Sequence, residues 1–169
     1  PDDLPELVHI TEDTGFFRPE EVVVAREVLT EAALRGEGSG YQVYVAEIPP
    51  SPPLQRGVEG ILLGYVCFGP TPLTRGTWDL YWIAVAPQRQ GLGIGKRLMG
   101  RAEEQVCLKG GRQIVVETSS QELYEPTRRF YCSLGYQEVS RIPDFYDSGD
   151  AKVTFAKVLS VGGDHRIPP

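Results

Sequence analysis

Histidine is nearly absent from this chain: 169 residues hold two, His9 and His165, each near an end. A site built on imidazole as its general base is therefore disfavoured, since histidine is the commonest such base. Cysteine is scarce too. Cys67, Cys107 and Cys132 are odd in number and show no C-x-x-C spacing, which gives neither a disulfide framework nor a zinc motif. No metal site is expected, and a reducing, cytoplasmic setting is. Long hydrophobic runs are missing, and the first residues lack a charged-then-apolar leader pattern, so no membrane partner is expected. Nor is there a basic excess: 17 Lys and Arg face 23 Asp and Glu, for a net charge of −6. That balance disfavours a nucleic-acid backbone as partner and leaves room for a cationic small molecule.

What the chain does have is an ordinary globular apolar fraction of 41%, enough for one domain over residues 1–169 with a sizeable core. "LVHI" at 7–10 reads as a short first strand. "FFRPEEVVVAREVLTEAALRG" follows as a helix, entered through Pro19 and stopped by Gly36. "YQVYVAEI" (41–48) reads as a strand, 49–60 as a proline-rich loop insertion, and "ILLGYVCFG" and "TWDLYWIAV" as an antiparallel pair. Ile94, Leu98, Ala102 and Val106 recur at helical spacing over 94–109. A buried-type strand over 112–119 and a helix over 124–134 come next, then strands at 136–142 and 151–159 around the loop "PDFYDSGD", and a frayed tail over 160–169. The order β-α-β-β-β-α-β-α-β-β predicts an α/β (α+β) fold with one mixed sheet and helices on its faces.

Between the strand ending at Val85 and the helix opening near Ile94 stands a comb of alternating glycines, Gly91, Gly93 and Gly95. Glycine lets main-chain N–H groups approach a ligand that side chains would block, and a helix N-terminus aims its positive end at the same place. An anion, a phosphate group above all, is the expected guest. Two familiar phosphate motifs fail on spacing. Lys96 is followed by Arg97, not by the Ser or Thr a P-loop needs, and no third glycine completes G-x-G-x-x-G. What fits is Q-x-x-G-x-G, written by Gln90, Gly93 and Gly95.

With "IAVAPQRQGLGIGKRLM" followed by "RRFYCSLGYQEV", the chain resembles the GNAT superfamily of acyl-CoA-dependent N-acyltransferases over most of residues 7–159. The resemblance implies a central, mostly antiparallel mixed sheet flanked by helices, with acetyl-CoA as co-substrate. It implies that amides of about Leu92 to Lys96, Ile94 and Gly95 included, hold the coenzyme A pyrophosphate. Gln90 and Gly91 stand beside them, and Ile83, Ala84 and Val85 contact the coenzyme along the preceding strand. Val85 N–H would be the oxyanion donor. Arg128, Tyr124 and Tyr131 complete the coenzyme set. Many relatives carry asparagine where this chain has Tyr124, so a coenzyme contact is altered there.

Such a site must deprotonate an amine of pKa roughly 10 before attack on a thioester. A carboxylate can take that proton, directly or through a water, and a tyrosine hydroxyl can protonate the departing thiolate. Related enzymes often carry a catalytic carboxylate where Asp79 stands, and an aspartate inside the apolar run "DLYWIAV" calls for explanation by itself. Tyr131 is the proton donor that position implies, with Tyr124 its rival. Tyr81 lines the cleft or the core. Glu117 and Ser119 end the central strand where a cleft would open, and Tyr146 sits among Asp144, Asp147 and Asp150, a mixture suited to a cationic amine. The expected activity is direct acetyl transfer to a small-molecule or peptide amine by a monomer or homodimer. A non-catalytic acyl-CoA sensor of the same fold is the rival reading.

Overall fold

The computed structural model describes residues 2–49 and 60–159. The expectations for the 49–60 insertion and the 160–169 tail fall almost wholly outside that range. Helices α1 (Leu4–Asp13) and α2 (Pro19–Arg35) lead into β1 (Gln42–Ile48), β2 (Ile61–Pro70) and β3 (Thr77–Val85). Helix α3 (Ile94–Leu108), β4 (Gln113–Ser119), α4 (Glu125–Ser133), β5 (Gln137–Asp147) and β6 (Asp150–Val158) follow. The six strands form one sheet in the order β1-β2-β3-β4-β6-β5. Among the described residues only the β3–β4 pair is parallel, so the predicted mixed sheet is the one observed.

The first element is a correction. Residues 7–10 are not a strand but the middle of α1, whose buried residues are Leu7, Val8, Ile10 and Thr11. A four-residue apolar run fits either period, and here the helical one wins because one face docks on β2. Thr11 Oγ1 donates to the Leu7 carbonyl at 2.8 Å and shares a 2.7 Å hydrogen bond with the Tyr65 hydroxyl. The second correction is "PDFYDSGD". Most of it is β5, which runs to Asp147 and turns through Ser148 and Gly149. The pairing with β6 slips between Ile142 and Asp147, where Asp144 takes φ 51. That irregularity absorbs the proline and aspartate that otherwise signal a loop.

Two apolar layers sandwich the sheet. On one side α3 and α4 bury Met99, Ala102, Val106 and Tyr131 against Val66, Ile114 and Phe155. On the other, α1 and α2 bury Leu7, Val22 and Leu29 against Tyr65 and Cys67. Each fully buried Val, Leu or Phe contributes about 1.5–3 kcal/mol relative to exposure, so these layers fix the sheet as a rigid frame.

The frame opens between β3 and β4. β3 pairs with β4 only from Thr77 to Leu80, opposite Gln113 to Val116. Trp82 faces Cys67 while Leu80 faces Phe68 across β2, leaving Tyr81 as an extra, unpaired residue. A bulge of this kind bends its strand and increases twist. Beyond it β3 continues to Val85 with β2 while β4 stays with β6 as far as Ser119. The two central strands thus part, and the ends of both look into a gap.

Candidate active site

The gap is the floor of a groove of about 610 Å³, whose walls come from the α1–α2 connection, the end of β3, the turn into α3, the end of β4, and α4. At the α3 end, Gly91 and Gly93 hold φ of 76° and 77°, a left-handed conformation that side chains disfavour. A Cβ at either would meet nothing within 4 Å, so their bareness leaves an open surface. Gly95 differs: a Cβ there would stand 3.3 Å from the Phe130 ring, so glycine lets α3 and α4 close together beside the groove. The first helical hydrogen bond is Arg97 N–H to the Gly93 carbonyl at 3.1 Å. The N–H groups of Ile94, Gly95 and Lys96 therefore have no acceptor within the helix. Gln90 stabilises the turn by donating Nε2 to the Val85 carbonyl at 3.2 Å. Gly91, Gly93, Ile94, Gly95 and Lys96 all line the groove, whereas Leu92 does not and is exposed.

At the split, Ile83, Ala84 and Val85 line the groove. Ala86 N–H donates to the Leu63 carbonyl at 2.9 Å. Successive amides of a strand alternate in direction, so Val85 N–H points away from β2, into the gap that β4 has left.

Tyr131, on α4, borders the groove with its side chain buried. Burial alone acts on its hydroxyl and pushes the pKa well above the ordinary tyrosine value, so it is protonated at neutral pH. Tyr124 also borders the groove, but its hydroxyl donates to the Phe16 carbonyl at 2.7 Å. Arg128 is committed elsewhere. Its guanidinium donates to the Ser119 and Gln121 carbonyls at 2.7 and 2.9 Å and to Glu125 at 2.8 Å, and it stands outside the groove lining. These bonds hold the end of β4 against α4.

Glu117, Ser119 and Tyr146 line the groove, while Asp79 and Tyr81 do not. Asp79 is half-buried on β3, opposite Val115. Burial pushes its pKa up, the Thr71 hydroxyl pulls it down, and the charge of Glu117 adds to the rise. Tyr81 is pushed up to about 12 by burial and by the nearby Asp79. The aspartates at the β5–β6 tip are occupied: Asp144 accepts from Gly149 N–H and Asp147 from Ser148 N–H, each at 2.7 Å. Asp150 is buried and accepts from the Ser119 hydroxyl at 2.5 Å and Ser120 N–H at 3.2 Å. Among the described residues no group of three or more His, Cys, Asp or Glu could hold a metal ion, and no helix is long and apolar enough to cross a membrane.

Sequence reasoning missed one wall. Phe16, Phe17 and Arg18, from the α1–α2 connection, and Glu21, in the first turn of α2, all line the groove. Reading 7–10 as a strand hid the helix pair that carries them.

The groove thus joins a split sheet, amides without helical acceptors at the start of α3 and a buried tyrosine on α4. The chain belongs to the GNAT acetyltransferases: the family model "Acetyltransferase (GNAT) domain" matches residues 21–138. A GNAT-family protein from Desulfovibrio desulfuricans is 39% identical, with a TM-score of 0.85 over 95% of this chain and 94% of that one. The same fold occurs in the ribosomal-protein-S18-alanine N-acetyltransferase of Escherichia coli (20% identity, TM-score 0.67, 99% and 94% covered). It occurs again in an aminoglycoside 6'-N-acetyltransferase complexed with coenzyme A (20% identity, TM-score 0.65, 96% and 92% covered). No curated protein sequence matches the chain.

Proposed function

We propose that the protein transfers an acetyl group from acetyl-CoA to a primary amine by direct attack in a ternary complex. One observation carries this reading: the unpaired N–H groups of Ile94, Gly95 and Lys96 and the outward Val85 N–H open onto the same groove. Those helix-start amides, with Lys96 beside them, fit a diphosphate. A relative of the same fold is complexed with coenzyme A. The bound thioester supplies an activated acetyl carbonyl, and the chain's own residues do the rest.

Asp79 takes the first proton from the incoming ammonium through a bridging water, and the second N–H proton leaves to solvent as the new C–N bond forms. The raised pKa of Asp79 moves it towards the working pH of a general base. Glu117, which lines the groove and is paired with Lys152 at 2.9 Å, orients the amine. Val85 N–H donates to the carbonyl oxygen as negative charge grows there. As the C–N bond forms and the C–S bond breaks, Tyr131 gives its hydroxyl proton to the departing sulfur. Solvent later restores that proton and removes the one on Asp79. Cys132 is exposed and has no part, because direct attack needs no acyl-enzyme.

The test is thiol release from acetyl-CoA by the full chain over a panel of tryptamine, spermidine, kanamycin and a peptide with a free N-terminus. The reading expects release that depends on an amine. Tight coenzyme A binding with no release from any amine would instead make the protein an acyl-CoA sensor.

A further inference from the structure

Asp150, the first residue of β6, is only 5% exposed and yet lines the groove. It stands at the end of β4 that looks into the gap, where Ser119 pairs with Lys152 and Ser120 N–H donates to the Ala151 carbonyl at 2.9 Å. A carboxylate this deep needs partners, and the partners it has all fall on one oxygen. Oδ1 accepts from the Ser119 hydroxyl at 2.5 Å, from Ser120 N–H at 3.2 Å and, more weakly, from the Ser120 hydroxyl at 3.5 Å. Both serines are fixed in turn. Ser119 Oγ accepts from Gln121 N–H at 3.0 Å, and Ser120 Oγ accepts from Ala151 N–H at 2.8 Å. The carboxylate is thus locked in one orientation.

Oδ2 is different. Among the described residues it has neither a hydrogen-bond partner nor an ion pair. It is not sealed in the core either: the fully enclosed side-chain atoms without a partner are Thr71 Oγ1 and the Tyr136 hydroxyl. A bare oxygen on a locked, buried carboxylate therefore opens onto the groove. The other carboxylates of the lining have cations of their own, Glu21 with Arg18 at 3.4 Å and Glu117 with Lys152 at 2.9 Å. The remaining cations of the lining, Arg89 and Lys96, belong to the turn into α3 and its first turn, and no ion pair joins either to Asp150. Asp79 lies outside the lining. A carboxylate oxygen only accepts hydrogen bonds, and its strongest donors are charged ones.

We infer that Asp150 is the residue that receives the acceptor: Oδ2 accepts a hydrogen bond from the substrate's ammonium before that group is deprotonated. The inference rests on the acetyl-transfer reading and assigns its acceptor contact. Ser119 and Ser120 act through Asp150, holding Oδ1 so that Oδ2 faces the groove. Glu117 orients the same ammonium from β4. No bond at Asp150 forms or breaks, and the proton goes to Asp79 through the bridging water. Once the nitrogen has become an amide its charge is gone, so the attraction to Asp150 falls away and product leaves.

Asp150→Asn tests this cleanly. With its amide oxygen in the place of Oδ1 it keeps the bonds from Ser119 and Ser120, and it turns the bare acceptor into an NH₂ donor. The full chain and the variant are assayed by thiol release from acetyl-CoA with tryptamine, spermidine and kanamycin. The same amines are titrated calorimetrically in saturating coenzyme A. The expected result is an amine KM and Kd raised about tenfold to a hundredfold, the range for a hydrogen bond to a charged group, with a smaller fall in kcat and unchanged coenzyme A affinity. Equal amine KM in parent and variant would overturn the anchor while leaving acetyl transfer standing. Amine binding that depends on Asp150 without thiol release would support the anchor and sink acetyl transfer instead. Neither binding nor release with any of the three amines would overturn both. A crystal structure of the parent with coenzyme A and the tightest-binding of these amines gives a check that needs no variant. The ammonium nitrogen within hydrogen-bonding distance of Asp150 Oδ2 is expected, and a nitrogen held elsewhere would overturn the inference.

Discussion

The Tyr124 hydroxyl donates to the Phe16 carbonyl oxygen at 2.7 Å, tying the entrance of α4 to the α1–α2 connection across 108 residues of sequence. Desolvation raises the Tyr124 pKa, with the charge of Glu21 adding to the rise, so the donor stays protonated throughout the neutral range. Tyr124→Phe keeps the ring and removes the bond. The amides of residues 16–18 should then exchange hydrogen about tenfold faster, corresponding to a lost bond of about 1.4 kcal/mol. The amine KM should rise with coenzyme affinity unchanged. Exchange at wild-type rates would show that the clasp holds nothing.

Gly93 and Gly95 make separate predictions from one turn. Gly93→Val forces a branched side chain into φ 77°, a strain of about 1–3 kcal/mol, and coats the bare surface beside the free amides. Coenzyme A affinity should fall at least tenfold, as measured by calorimetric titration. Gly95→Ala asks the Phe130 ring, 3.3 Å from the new Cβ, to give way slightly, so a smaller loss is expected. Equal affinities in both variants and the parent would exclude the turn as the diphosphate site.

Asp79 sets activity against stability. Burial raises its pKa in the folded chain above the unfolded value, so folding favours the protonated form. Above the folded pKa the ionised group costs stability, and below the unfolded pKa it costs none. Asp79→Asn should therefore raise Tm at pH 7, with the gain shrinking as pH falls towards the ordinary carboxylate range. In the same variant kcat should drop and the acid limb of the pH–rate profile should flatten. A variant as fast as the parent at pH 7 would clear Asp79 of proton transfer.

Glu117 and Tyr131 separate orientation from proton donation. Glu117→Gln should raise the amine KM, since that side chain lines the groove and is held by Lys152. Tyr131→Phe should lower kcat by about 10²–10⁴ if the hydroxyl protonates the sulfur, with coenzyme affinity little changed. Steady-state kinetics on both variants checks the split, and an unaltered kcat in Tyr131→Phe would move the donor role elsewhere.

The central architecture was legible because its elements are long and strongly periodic. Ile94, Leu98, Ala102 and Val106 mark one face of α3, and all are buried. The runs over β2 and β3 are rich in branched and aromatic residues and pair as expected. The glycine comb was legible because glycine at alternate positions has a backbone meaning. Short or conflicted segments were not. "LVHI" carries too few residues to choose between periods. Pro143 and Asp144 look like a turn, yet β5 passes through them by slipping register. The cleft at the end of β4 was expected, but the bulge at Tyr81 has no signature in the residue types, so the absence of Asp79 and Tyr81 from the groove lining could not be read. Arg128 shows the same limit. The family resemblance puts it on the coenzyme, whereas its hydrogen bonds go to two carbonyls and a carboxylate.

The most direct measurement is a crystal structure of the full chain with coenzyme A. The account predicts the diphosphate within hydrogen-bonding distance of the Ile94, Gly95 and Lys96 amides, with the pantetheine arm running along Ile83 to Val85 and the sulfur beside Tyr131. A coenzyme bound away from the start of α3, or with its thiol turned from the gap between β3 and β4, would contradict it.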